Sequence, residues 1–297
     1  MKSSTSSSME TLDQTVWINI NYRTWQGKKV LSRAEINKYS NLDEIPPEDL
    51  ITPGSKAIAD PEGLKKISSL GKKINRECEK VSVKAFGAHG TSLKASEELL
   101  EKLEDYKQEH QLLVSTYLHS YNASCEAWIS EHPKWEQWLR HSMLDRKDIE
   151  GRFKFEYQAY KIASGGETAL LNDGLEKEQQ GLLGILLSEI EKMANTAWEK
   201  SFENKEKVSQ KALSPIRSIL KKLDTLSYID GSVSVISKRV KDVLTALPKS
   251  GFLEGADLSS ADGLLNLLGS SNRMMAFADQ AKLTMAAASN PIVDDVQ

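Results

Sequence analysis

The sequence predicts a mainly α protein: an elongated bundle of long, coiled-coil-like helices carrying a small β-sheet of about three short strands. Three observations lead there. From Ser92 to Glu131 the chain has neither Pro nor Gly, and Leu99, Leu103, Tyr106, His110, Leu113, Tyr117, Tyr121, Cys125 and Trp128 recur every three or four residues, the spacing of one helix face. Three short runs alternate instead with period two, as half-buried strands do. Apolar residues make up 39% of the chain and charged residues 27%, which suits long helices with narrow buried stripes better than thick, dry layers.

A chain of 297 residues has room for two ordinary domains or one elongated one. The expected organisation is a disordered Ser/Thr-rich tail over 1–14, an α+β region over 15–163, a long-helix arm region over 164–250, and short helices with a tail over 251–297. A net charge of −3 gives no dominant basic or acidic footprint. No stretch approaches the roughly 18 apolar residues of a membrane helix, and the opening MKSSTSSSMETLDQ lacks the apolar core of a secretory signal. Cys78 and Cys125 lie in helix-like segments and read as buried, reduced thiols. The expected compartment is the cytoplasm.

Taken in order, TVWININYR is the first strand, with Val16, Ile18, Ile20 and Tyr22 alternating against Trp17, Asn19, Asn21 and Arg23. Gly27 marks a turn, and Ser32 is positioned to cap a short helix to about Tyr39. A proline-punctuated connector follows. Asp60-Pro61-Glu62 opens a helix with a capping acid and Pro in the first turn, and Leu64, Ile67, Leu70, Ile74, Cys78 and Val81 form its stripe. Residues 81–86 give a second strand, and FGAHG (86–90) a tight turn.

The helix over 92–131 would be about 60 Å long at 1.5 Å per residue, so it is expected to lie along another long helix. Pro133 interrupts it, Lys134–Met143 forms a short helix, and RFKFEYQAYKI (152–162) gives a third strand. Gly165-Gly166 is a hinge. Gln179–Tyr228 is expected to form a second arm, with Pro215 marking a kink or restart. SVSVISKRVKDVLTAL is a helix stopped by Pro248. A small-residue loop and two short helices, Leu264–Leu268 and Asn272–Ala288, complete the chain.

The chain lacks the motifs of several chemistries. There is no phosphate-binding G-x-x-x-x-G-K-[ST] loop, no G-x-G-x-x-G, no C-x-x-C and no H-E-x-x-H. No catalytic, cofactor-binding or metal-binding residue is assigned. His132 and His141 are nine residues apart, on opposite sides of a continuous helix, and make a poor metal pair. Cys125 with His119 or His132 resembles a Cys–His nucleophile on paper, but Cys125 falls on the apolar stripe, where a thiol is inert. His110 on that stripe reads as an interior histidine. FGAHG reads first as a turn and second as a ligand-binding loop, its His89 being the residue to test.

Two surfaces invite partners. Residues 127–141, AWISEHPKWEQWLRH, hold three of the six tryptophans. Trp135 and Trp138 share a helix face, and corner packing explains them before a contact surface does. Together with Arg140 they are the candidate protein-contact residues, since Trp and Arg dominate binding hot spots. Between Lys192 and Lys222 there are eight Lys/Arg against three Glu, an excess of five positive charges. Lys205, Lys207, Lys211, Arg217, Lys221 and Lys222 are candidate nucleic-acid contacts there. The local aromatics are Trp198 and Phe202, few for base stacking, and a solvated helix face is the simpler reading.

The motifs VWINI-x-YRTWQGKKVL, DPE-x-LK, KAFGAHG, W-I-x-EHP-x-W and RFKFEYQ, in this order over about residues 15–163, resemble the bacterial and phage family labelled domain of unknown function 3150. The C-terminal half resembles it only as helical bulk. The resemblance implies no reaction and transfers no catalytic residue. It does imply company: an AAA+ ATPase of the MoxR type and a protein with a von Willebrand factor A domain, on mobile elements. The expected function is therefore a non-enzymatic helical interaction or adaptor protein, with self-association through its long helices as one route. Alternatives are a nucleic-acid-associated protein of a phage or mobile element and a phage structural protein.

Overall fold

A computed structural model describes residues 11–31, 34, 54–162 and 169–289. The helix expected over Ser32–Tyr39, most of the proline-rich connector, the Gly165-Gly166 hinge, the first ten residues and the tail beyond 289 lie outside the described residues.

The chain is mainly helical, with an antiparallel sheet of four strands. Its elements are β1 (Thr15–Arg23), β2 (Lys28–Val30), β3 (Ser55–Ala57), α1 (Glu62–Glu79), β4 (Val83–Ala85), β5 (Ala88–Ser92), α2 (Leu93–Glu131), a 3-10 turn (Pro133–Trp135), α3 (Glu136–Ser142), α4 (Arg146–Glu150), β6 (Lys154–Tyr160), α5 (Ala169–Ser201), β7 (Lys207–Ser209), a 3-10 turn (Gln210–Leu213), α6 (Ser214–Thr225), α7 (Gly231–Ala246), β8 (Phe252–Glu254), α8 (Gly255–Leu268) and α9 (Ser271–Ser289). Two compact units divide the chain. The first comprises Met1–Asn19, Arg76–Leu100 and Gln158–Gln297, the second Ile20–Asn75 and Glu101–Tyr157.

The strand order is β4-β5-β1-β6. The three strands read from the sequence are present, and the fourth, β5, occupies residues assigned to the FGAHG turn and its exit. AHGTS carries no apolar alternation, so nothing in its composition announces a strand. Its place comes from tertiary fit: Gly90 is the register partner of Trp17, and a Cβ on Gly90 would come within 2.5 Å of the Trp17 ring. The turn itself is two residues, Phe86 (φ 50) and Gly87 (φ 68), between the paired Ala85 and Ala88. Positive φ at both positions is the geometry of a two-residue hairpin turn whose twist matches its strands.

The one-sided alternation expected of β1 is not followed: beyond Ile18 only Asn19 and Arg23 are exposed, and residues 20–22 are all half-buried. Thr15, Val16, Trp17 and Ile18 are all buried. Before β1, residues 11–13 form a helical turn with Leu12 buried, within the segment expected to be disordered.

In the first unit, α5, α6, α7, α8 and α9 pack into one core that also takes in Leu12, Trp17, Val83, Ala85 and Ala88. Asp230 caps α7 by accepting from the Ser232 amide at 2.6 Å, which satisfies one of the orphan donors of the helix start. The second long arm expected over Gln179–Tyr228 is not one rod. α5 ends at Ser201, Asn204 takes the left-handed conformation (φ 56), β7 and a 3-10 turn intervene, and α6 packs back on α5. The segment 251–263, expected to be a loop, is β8 followed by most of α8.

In the second unit, the α2 stripe is buried at Leu103, His110, Tyr117, Tyr121 and Cys125. α1 runs antiparallel beside it: Gly63 faces Tyr117, while Lys73 pairs with Glu109 at 3.4 Å and lies over the Tyr106 ring. Trp25, Ile58, Ile149 and Phe153 close the same cluster. The greasy seam is thus covered by one shorter helix plus strand and loop residues.

Candidate functional site

Most of the residues singled out by the sequence fall on two surfaces or at internal polar centres. The first surface lies where α2 ends. Pro133 starts the 3-10 turn because its missing amide costs nothing at a helix start. Trp135 and Trp138 stand with ring centroids 6.0 Å apart; Trp138 is half-buried and Trp135 is 47% exposed. Trp128 stacks against His132, at 4.3 Å, and His132 Nδ1 donates to the Trp128 carbonyl at 2.8 Å. Arg140 grips Glu126 of α2 with two bonds of 2.7 Å and Glu136 with one of 2.9 Å. That fork holds α3 against the end of α2, so Arg140 first serves as the brace of the corner. Its pairing with both carboxylates raises its already high pKa and lowers that of Glu126.

The second surface lies in the first unit. The left-handed Asn204 turns the chain out of α5, and β7 pairs with β8 in the register Lys207↔Glu254, Val208↔Leu253, Ser209↔Phe252. Val208 and Leu253 point inward and are buried, while Lys207, Ser209, Phe252 and Glu254 are exposed, as period two requires. Lys205, Lys207 and Lys211 line a depression of about 310 Å³ together with Ser201, Ser209 and Val208. Among the described residues no carboxylate lines it. None of the three lysines makes an ion pair among the described residues. Lys207 Nζ lies 5.4 Å from the centroid of the Phe252 ring, and Phe252 is 60% exposed.

The remaining basic candidates separate. Arg217 and Lys221 are exposed and outside the depression. Lys222 is not a surface cation at all: it is 2% exposed, and its Nζ donates to Glu189 Oε2 at 2.6 Å and to the Glu79 carbonyl at 2.7 Å. It ties the last residue of α1 to α5, and the solvated-face reading fails for it. Nor do the two local aromatics serve a ligand. Phe202 is buried, and the Trp198 indole N–H donates to Asp262 at 2.6 Å. Phe252 was missed because it lies 45 residues beyond Lys207, and only the β7–β8 pairing joins them.

The internal centres read as structure. Ser82 Oγ donates to the Cys78 carbonyl at 2.6 Å, so its lone pair accepts from His89 Nδ1 at 3.0 Å. With the proton on Nδ1, His89 cannot draw one from Ser82, and the pair is no activated nucleophile. Burial, helped by Lys84, pushes the His89 pKa down to about 4. Burial pushes the Cys78 thiol up to about 12 and raises Cys125 as well; both are free and buried, the environment of an inert thiol. Cys125 thus packs with Tyr121, as its place on the stripe suggests. His119 and His141 are exposed. His110 is buried between Tyr22 and Phe155, and burial lowers its pKa.

A second depression of about 400 Å³ borders His110 and carries Arg146, Lys154, Glu150 and Glu156. Its charges offset one another, with Lys154 and Glu156 paired at 2.7 Å. Among the described residues no group of three His, Cys, Asp or Glu side chains is placed to hold a metal ion, and no helix is long and apolar enough to cross a membrane.

No curated protein and no solved structure gives a significant match to this chain. A family model does match, over residues 12–270, so the likeness seen in the motifs of residues 15–163 extends through the helical bundle to the end of α8. The chain belongs to the family described as Protein of unknown function (DUF3150).

Proposed function

We propose that the protein is a non-enzymatic interaction protein, an adaptor that docks a protein partner on the corner formed by α2, the 3-10 turn and α3. One observation carries this reading: Trp135 is a large aromatic left 47% exposed on a corner braced by the two-pronged Arg140–Glu126 bond. An exposed, amphipathic ring on a corner that also carries an arginine has the composition of a binding hot spot, and a braced corner has less freedom to lose on binding. The family resemblance names the partner to try first, an AAA+ ATPase of the MoxR type from the same host. The von Willebrand factor A protein is the second. Self-association belongs to the same reading: Leu112 of α2 is 67% exposed and offers an apolar foothold along the outer face of that helix.

The test is a binding titration of the purified ATPase, with and without ATP, against the wild-type chain and Trp135→Ala. A hot-spot tryptophan costs about 2 kcal/mol or more when truncated, so the affinity should fall at least about thirtyfold while the melting temperature stays put. An affinity indifferent to Trp135, or no complex with either protein, refutes the reading. Sedimentation over a range of concentrations, for wild type and Leu112→Glu, checks self-association.

A further inference from the structure

We infer that the lysine-lined depression beside the β7–β8 ribbon binds single-stranded nucleic acid, with phosphates on Lys205, Lys207 and Lys211 and a base on Phe252. This goes beyond the adaptor reading and shares no residue with it. The excess charge over 192–222 is a property of sequence. The structure sorts it, withdrawing Lys222 into an internal ion pair, leaving Arg217 and Lys221 elsewhere on the surface, and bringing three lysines around one depression free of carboxylates.

Cations gathered at a concave site, rather than spread along a helix, concentrate positive potential where a phosphate chain would run. The ligand class follows from Phe252. Phe252 is 60% exposed and stands next to the depression rather than in its lining, joined to it by Lys207, whose Nζ lies over the ring. A stacking face beside a cationic groove is the arrangement that holds unpaired bases without reading them. Duplex DNA hides its base faces and would leave the aromatic unused. Ser201 and Ser209 add hydroxyl donors for phosphate oxygens. Glu254 lies across from Lys207, on the same ribbon face as Phe252, but does not line the depression.

The experiment measures binding of a fluorescently labelled oligothymidylate to the full-length chain by anisotropy, from about 50 to about 200 mM salt. Each single-strand phosphate contact contributes about 0.7 to the slope of log affinity against log salt. Replacing the three lysines (Lys205→Gln, Lys207→Gln, Lys211→Gln) should flatten the slope by about 2. Arg217→Gln with Lys221→Gln should leave it unchanged. Phe252→Ala should weaken binding about fivefold to a hundredfold with the slope intact, since a lost base stack carries no counterions. All six side chains are exposed, and unchanged melting curves confirm that each variant folds.

The proposal is overturned if no binding occurs at low salt, or if the Arg217/Lys221 variant loses as much as the triple variant. It is equally overturned if Phe252→Ala binds like wild type, if duplex competes as well as single strand, or if phosphatidylserine vesicles bind while the oligonucleotide does not.

Discussion

Histidine 89 illustrates how much one buried side chain fixes. Its Nδ1 donates to Ser82, whose own proton is committed to the Cys78 carbonyl, so the three residues lock the end of α1 to the β4–β5 hairpin. Burial holds its pKa near 4 against an ordinary 6.5. Between those values the unfolded chain binds a proton that the folded chain refuses, so stability rises with pH across the window and is lost as pH falls from 6.5 toward 4. The loss from this residue is at most about 3 kcal/mol. Urea unfolding midpoints at the two ends of that range should differ clearly in the wild type and much less in His89→Asn. Some slope will persist, because burial lowers the His110 pKa in the same direction. Glycine 71 shows the complementary case: a helix-interior glycine is kept in α1 because a Cβ there would come within 2.6 Å of the Tyr22 ring.

Among the elements, the end of α1 depends on a cation from α6. Lys222 donates to the Glu79 carbonyl, one of the orphan acceptors of a helix C-terminus, and to Glu189 on α5. Removing one partner of a buried pair leaves the other desolvated and unpaired. Lys222→Ala should therefore cost on the order of 3 kcal/mol, read as a lower chemical-denaturation midpoint. Lys221→Ala, one residue away and exposed, should cost less than about 0.5 kcal/mol. Equal effects would show that the internal pair is not formed. Charge reversal at Lys222 would confound a nucleic-acid assay with unfolding, which is why the binding variants sit at 205, 207 and 211.

For the molecule as a whole, the first unit is assembled from three chain segments, and its core joins the α5–α9 bundle to Leu12, Trp17, Val83, Ala85 and Ala88. A fragment of residues 158–297 lacks all five of those side chains. It should keep helical circular dichroism but lose a single sharp thermal transition, and a fragment that melts as cooperatively as the full chain would contradict that account of the core. The sequence by itself determined most of the long helices: the α2 stripe, the Asp60-Pro61-Glu62 start and the restart at Pro215 are local signals, set by side-chain spacing and by which backbone groups a residue can satisfy. It also carried the family resemblance, in short motifs. Only tertiary structure decided that AHGTS is a strand, since Gly90 has meaning only under Trp17. The same holds for the expected second arm, which breaks at Asn204, and for the positive stretch, of which three lysines share one depression while a fourth is sealed inside. Charge and periodicity report what a residue prefers toward water. Register, burial and the meeting of Lys207 with Phe252 are set by partners far along the chain, and no local pattern encodes them.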